Sequence, residues 1–373
     1  MNGFWRKLVA KSIDIYLVSS TLHFFWAFML AKRFEDKRDS HLILIDQYSN
    51  RPMQLWSYLT PENTPFISQT KLEGRELGGF KKLRNRYKQF NWVSDFIKNN
   101  DVNRVWIGND RSVLGQWFIK EAKQKSPSCV ACFMDDGVFS YLGRSASQSF
   151  SERYLDSTFK KIIYGFWYDS PLTVGASKWI DEAWVMYPNN VSLPLKHKEL
   201  VNILPDNECF KNLKDLSYVA FSSEKFDTEK LNQIDVLITL PNHSLFSKHP
   251  DYNKSILNLI DVLKKNGLFV GVKYHPAAGK ADLLNVQEKG VWLIPSYMSF
   301  ELLLPFLKHS KIIGDLSTTL LMANYAGLKN GIYMLDVNKD SYSNKMVKLC
   351  SEVGVIVTNL KDLDSKILGK KES

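Results

Sequence analysis

The chain has 373 residues, 45% hydrophobic and 24% charged, a balance that excludes extensive disorder and fits two domains of ordinary size. Four cysteines (Cys129, Cys132, Cys209, Cys350) are too few for a disulfide scaffold and point to a reducing compartment. A net charge of +10 implies a polyanionic partner: nucleic acid, an anionic membrane face or an acidic polymer.

Taken from the N-terminus, Arg6, Lys7 and Lys11 precede an apolar stretch over 16–31 in the manner of a signal peptide. That stretch is too short to span a bilayer, and Ser19, Ser20, Thr21 and His23 make its middle too polar. It parses better as a strand over 13–19, a helix capped by Thr21 and running to 34, and a strand over 41–46. This is a βαβ opening with neither a cleaved signal nor a transmembrane helix. A helix is expected over 79–99, where Lys81, Lys82, Arg84, Arg86 and Lys88 alternate with Phe80, Tyr87, Phe90 and Trp92. It reads either as a solvated amphipathic helix or as a contact with anionic lipid headgroups or an acidic glycan.

A strand over 105–107 then ends in Gly108-Asn109-Asp110, a helix covers 113–125, and a strand over 129–134 ends in Asp135-Asp136-Gly137. The stretch 151–200 is less regular, with helical patches around 160–168. A second alternation follows: a strand over 235–240, a helix over 252–266, and a strand over 268–274 stopped by His275-Pro276. Further strands are expected over 291–294, 311–313 and 331–335, with a helix over 299–308, and the tail at Lys370-Lys371 reads as frayed. Strands alternating with helices predict parallel sheets covered on both faces. The expected domains are a Rossmann-like one over 1–200, a connection over 201–232, and a second Rossmann-like one over 233–373.

In such sheets ligands sit beyond the carboxyl ends of the strands, so residues just after strands carry the information. Asp135-Asp136-Gly137 offers two adjacent carboxylates that raise each other's pKa, one of which can act as a general base; Asp-Gly is also ordinary turn chemistry. His275, fixed by Pro276 at a strand end, can donate a proton or pair with phosphate. The same dipeptide, His249-Pro250, stands in a polar loop, so the preceding strand is what makes His275 informative. Gly314-Asp315-Leu316-Ser317-Thr318-Thr319 lies between a strand and a helix, where hydroxyls and open N–H groups suit an anion or simply cap the helix.

The order of these three motifs resembles the bacterial sialyltransferases, which carry a D/E-D/E-G motif, an HP motif and a downstream S/T motif. The opening IDIYLVSSTLHFFWAFMLA is similar to the first βα unit of the lipooligosaccharide sialyltransferases (glycosyltransferase family 52) and their polysialyltransferase relatives. SYMSFELLL is similar to the family's ribose-binding stretch, which points to Glu301. The resemblance implies a GT-B fold: two Rossmann-like domains whose parallel sheets face a central cleft. It further implies inverting transfer of sialic acid from CMP-sialic acid to a hydroxyl of a bacterial surface glycan.

Carried over, either aspartate can be the base, with Asp136 preferred and Asp135 its partner. His275 would protonate or stabilise the departing phosphate, and Ser317, Thr318, Pro276 and Thr319 would line the CMP site with Glu301 on the ribose. Gly137, the strand-end run Gly108, Asn109 and Asp110, and His23 are weaker candidates for the acceptor side, a turn or a packed helix histidine being the alternative. No metal and no cofactor are expected, since CMP leaves with less charge than a nucleoside diphosphate and no DxD stands in a suitable place. Cys129 and Cys132, without a second pair, do not suggest zinc. The implied partners are a CMP-sugar donor, a glycan acceptor and anionic lipids at the cytoplasmic face of the bacterial inner membrane, with no nucleic acid. Rival readings are a polysialyltransferase, a transferase using CMP-Kdo, another nonulosonic acid or CDP-glycerol, and a non-catalytic polyanion-binding protein.

Overall fold

The structure is a computed structural model describing residues 12–49, 54–144, 157–204, 209–241, 250–278, 282–328, 330–335, 340–359 and 362–368. The chain divides into two compact units, Met1–Ile203 and Leu204–Ser373.

The first unit opens with β1 (Ile13–Val18), α1 (Thr21–Phe34) and β2 (Asp39–Gln47), followed by β3 (Ser68–Glu73) and α2 (Gly79–Asn99). It continues through β4 (Val102–Ile107), α3 (Val113–Lys125), β5 (Val130–Met134), α4 (Val138–Leu142), α5 (Ser157–Tyr164), β6 (Glu182–Val185) and β7 (Glu199–Asn202). The seven strands are parallel in the order β3-β2-β1-β4-β5-β6-β7. Central β1 is buried along its whole length, as a strand covered on both faces must be. Its one carboxylate, Asp14, is fully enclosed and takes bonds from Arg38 (3.2 Å), Asn103 (3.1 Å) and the Trp106 indole (3.3 Å). Trp106 stacks on Tyr16 with ring centres 5.6 Å apart and meets Trp184 edge-on at 5.0 Å, so aromatic rings fill this core.

α1 explains the signal-like stretch: every residue from His23 to Ala31 is buried, so the helix is apolar all round because protein surrounds it. Its cap is Ser20 rather than the expected Thr21. Ser20 has extended backbone and accepts from the His23 N–H, while Thr21 is already helical. Among the described residues, no helix is long and apolar enough to cross a membrane.

The second unit begins with α6 (Cys209–Ser223) and α7 (Thr228–Asn232), which occupy most of the stretch expected as a connection. There follow β8 (Val236–Thr239), α8 (Pro250–Lys265), β9 (Val270–Lys273), β10 (Trp292–Ile294), α9 (Phe300–Leu303), β11 (Lys311–Gly314), α10 (Thr318–Tyr325) and β12 (Ile332–Leu335). α11 (Ser341–Val353), β13 (Ile356–Thr358) and α12 (Leu363–Leu368) close it. Its six strands are parallel in the order β10-β9-β8-β11-β12-β13. The core between β8, β9 and α8 includes Val236, Ile238, Ile256, Ile260, Leu263 and Val272. The helix expected over 299–308 is shorter: α9 ends at Leu303 and a 3-10 turn, Leu304–Phe306, replaces its continuation, because Pro305 cannot donate to an α-helical ladder.

Candidate active site

Both sheets share the doubly wound pattern in which strand order reverses beside the first strand, between β1 and β4 in one unit and between β8 and β11 in the other. Ligand crevices of such sheets open at the carboxyl ends of these strands. Three connections meet at this point in the first unit: the β1–α1 turn with His23, the end of β4 with Gly108, and the end of β5 with Asp136.

His23 is 2% exposed, and its Nε2 lies 2.8 Å from Asp136 Oδ1. Its Nδ1 lies 3.2 Å from the Ser19 hydroxyl. A carboxylate oxygen accepts, so the hydrogen between them is the one on Nε2, and Nδ1 is held by the Ser19 hydroxyl. The ring rests on Gly108. A β-carbon there would fall within the imidazole, so only glycine lets His23 reach Asp136. Asp136 remains 19% exposed, which keeps it within reach of solvent or substrate.

Asp135 is enclosed instead. Its Oδ1 accepts from the Gly137 N–H (2.7 Å) and the Ser140 hydroxyl (3.0 Å), and its Oδ2 from the Met186 N–H (2.8 Å) and the Tyr141 hydroxyl. Burial pushes its carboxyl up to about 6, with these bonds pulling the other way. The expected mutual repulsion of the two aspartates is therefore not the source of the shift. Gly137 itself turns the chain at φ +65° and sits at the start of α4, so it shapes the loop.

Asp110 departs from the acceptor-side expectation in the same way. It is fully buried and accepts the N–H groups of Gly175 and Ser177, both at 2.8 Å, because its carboxylate ties down that loop. Its carboxyl is also pushed up to about 6 by burial. Asn109 accepts from the Arg111 N–H at 3.1 Å, an Asx turn.

At the reversal point of the second sheet, Thr239 ends β8 and Gly314 ends β11, close enough that a β-carbon on Gly314 would meet the Thr239 hydroxyl at 2.5 Å. Ser317 caps α10, accepting from the Thr319 N–H at 3.2 Å. The Ser317 and Thr319 hydroxyls are 2.8 Å apart, and Thr319 lies 3.4 Å from Thr239, giving a run of three hydroxyls beside Thr318. Capping is thus realised here, and the partly exposed hydroxyls remain at the mouth of the helix.

His275 follows β9 by two residues and is exposed, and Pro276 opens the short turn Pro276–Ala278 behind it. Desolvation, then the charge of Lys273, draws its imidazole pKa below the ordinary value. Lys273 is buried, donates to the carbonyls of Tyr274 (3.3 Å) and Ser296 (3.2 Å), and is lowered to about 8 by that burial, with Glu301 opposing. Glu301 accepts from the Ser299 hydroxyl. Lys273 thereby joins the turn bearing His275 to the segment bearing Glu301.

Within each unit the predicted residues gather, Asp136 with His23 in one and Ser317 with Thr319 in the other. Sequence reasoning missed Ser19, Thr239 and Lys273, and it placed Gly108 on the acceptor side with Asn109 and Asp110 without its contact to His23. A position near a strand end was the only signal available for Thr239 and Lys273. His249 lies outside the described residues. Cys129, Cys132 and Cys350 are free and buried, and Cys132 accepts from Arg104 at 3.2 Å. No group of three or more His, Cys, Asp or Glu side chains among the described residues is placed to hold a metal ion.

No protein-family model matches the chain, and no curated protein matches it in sequence. Solved structures do. An α/β-galactoside α-2,3-sialyltransferase from Photobacterium phosphoreum superposes over 95% of this chain and 99% of its own, with 15% identity and a TM-score of 0.58. UDP-GlcNAc 2-epimerase from Methanocaldococcus jannaschii covers 97% and 94% at 13% identity and a TM-score of 0.59. MnaA of S. aureus, solved with UDP, covers 97% and 88% at 12% identity and a TM-score of 0.50. At these identities the likeness establishes the fold, which is of the GT-B glycosyltransferase type.

Proposed function

We propose that the chain is an inverting glycosyltransferase that moves sialic acid from CMP-sialic acid to a hydroxyl of a bacterial surface glycan. The observation that carries this reading is the pairing of Asp136 with His23 at 2.8 Å, beside an Asp135 that is fully enclosed. It separates a structural carboxylate from one that can meet substrate. Asp136 Oδ2, the oxygen His23 does not hold, takes the proton of the acceptor hydroxyl as that oxygen bonds to the anomeric carbon. The bond from that carbon to the phosphate breaks with its electron pair going to CMP. His275 protonates or stabilises the leaving phosphate, and Ser317, Thr318 and the α10 N-terminus hold it. Glu301 takes the ribose hydroxyls. His275, lowered by desolvation and then by Lys273, gains its proton best when the donor's phosphate is beside it, which links acid catalysis to donor binding.

The likeness to a sialyltransferase supports this reading at the level of the fold, and the motif order supports the donor. A panel of CMP-sialic acid, CMP-Kdo, CDP-glycerol, UDP-GlcNAc and their free nucleotides tests it. Acceptor-dependent release of CMP from CMP-sialic acid, lost in Asp136→Asn, is expected. Release only from CMP-Kdo would keep the chemistry and replace the donor, whereas release only from CDP-glycerol, which has no anomeric carbon and transfers a glycerol phosphate, or turnover of UDP-GlcNAc alone would overturn the reading.

A further inference from the structure

The first unit carries an apolar surface that the transfer chemistry does not use. On α5, Phe159 and Ile162 are 63% and 72% exposed, and Phe166, just past its end, is 85% exposed. On α2, Phe80 is 79% and Tyr87 47% exposed, seven residues apart and so on one stripe of the helix. The two helices adjoin: the Tyr87 hydroxyl donates to the Ile163 carbonyl at 3.1 Å, and Phe90 meets Tyr164 at 6.1 Å.

Cations surround these side chains. Lys81, Lys82, Arg84 and Lys88 are exposed on α2, which has no acidic residue before Asp95, and α5 adds Lys160 and Lys161 with none. An acidic glycan needs the cations but gives the apolar side chains nothing to enter, and RNA bases can stack on the phenylalanines but leave the 72%-exposed Ile162 in water. An anionic bilayer takes both, phosphates against the cations and acyl chains against the apolar side chains. We propose that α2 and α5 form a docking surface for an anionic lipid bilayer, with Phe80, Phe159, Ile162 and Phe166 entering its interface. The proposal stands independently of which sugar is transferred.

Sedimentation of the full chain with vesicles tests it. Phosphatidylglycerol–phosphatidylethanolamine vesicles should bind the protein at least about tenfold more tightly than phosphatidylcholine vesicles, since each basic residue near the surface adds severalfold. The triple substitution Phe159→Ser, Ile162→Ser, Phe166→Ser should weaken binding about tenfold or more at low and high salt. The triple substitution Lys81→Ser, Lys82→Ser, Lys88→Ser should weaken it mainly at low salt. An environment-sensitive dye on Phe166→Cys should shift to the blue with vesicles, a readout that survives if a triple variant folds poorly. Unchanged binding by the apolar variant, an unshifted dye, or soluble dextran sulfate displacing the vesicles from both variants alike would overturn the proposal.

Discussion

Asp135 and Asp136 share a side chain and a turn, yet four donors converge on the first and His23 alone, among the described contacts, on the carboxylate of the second. Asp135→Asn turns one acceptor oxygen into an amide facing two donors, so we expect a loss of about 2–4 kcal/mol. That corresponds to a melting decrease of roughly 5–15 °C in a unit of this size. Asp136→Asn should abolish transfer with an unchanged melting curve, and calorimetry on both variants decides between them. An Asp135→Asn variant that melts normally but is inactive would reverse the assignment. Local sequence gives only a preference for Asp136, because what separates the two residues is contributed by Tyr141 and Met186 on one side and by a histidine 113 positions away on the other. Gly108 was legible as part of a strand-end run on the acceptor side, whereas its close approach to His23 was not. Gly108→Ala should push His23 off Asp136 and lower kcat about a hundredfold, the cost of an ångström-scale misplacement. Gly78→Ala, where a β-carbon meets nothing within 4 Å, should leave kcat unchanged. Equal kcat in the two variants would remove His23 from the mechanism.

Among the elements, the central strands and the helices between them were legible because burial on both faces leaves continuous apolar runs, as in β1 and β8. β3 (SQTKLE) and β7 (ELVN) were missed because edge strands are half-exposed and keep polar residues, and interior β6 (EAWV) was missed because its four residues are too short a run to stand out. The strand-end motifs were legible as positions, whereas the link between them was not: Lys273 looks like one more strand residue, and only the fold shows it reaching Ser296 and sharing charge with Glu301. Below about pH 8 the Lys273 ammonium opposes protonation of His275. Lys273→Met removes that charge, so the His275 pKa should rise, and the imidazole should stay protonated to higher pH than in the parent protein. Titration of its ring C–H by NMR reads this directly. A pKa that stays put or falls would show that desolvation alone sets it. The hydroxyl run at α10 makes a parallel test, because capping and phosphate binding predict different losses. Replacing Ser317 and Thr318 together by Ala should weaken CMP by about 2–4 kcal/mol, at 1–2 for each charge-assisted bond. Cytidine should bind the parent and the variant alike; if it weakens as much as CMP, these residues serve only the helix.

For the molecule as a whole, the two units carry very unequal fluorescence. Nine of the ten tryptophans fall in Met1–Ile203, and Trp292 alone falls in Leu204–Ser373. Unfolding followed by tryptophan emission therefore reports chiefly the first unit, while calorimetry reports both. If CMP binds the second unit, as the hydroxyl run and His275 suggest, CMP at a hundred times its Kd stabilises that unit by about 2.7 kcal/mol. The expected result is a calorimetric transition raised by roughly 5–11 °C while the fluorescence midpoint stays in place. Asp135→Asn should do the converse, lowering the fluorescence midpoint and leaving the CMP-sensitive transition where it was. This pairing tests the division of labour without reference to turnover, so it is informative even before a true acceptor is in hand. A fluorescence midpoint that rises in step with the CMP-sensitive transition would mean that the nucleotide stabilises the first unit too, and the assignment of donor binding to Leu204–Ser373 alone would fall.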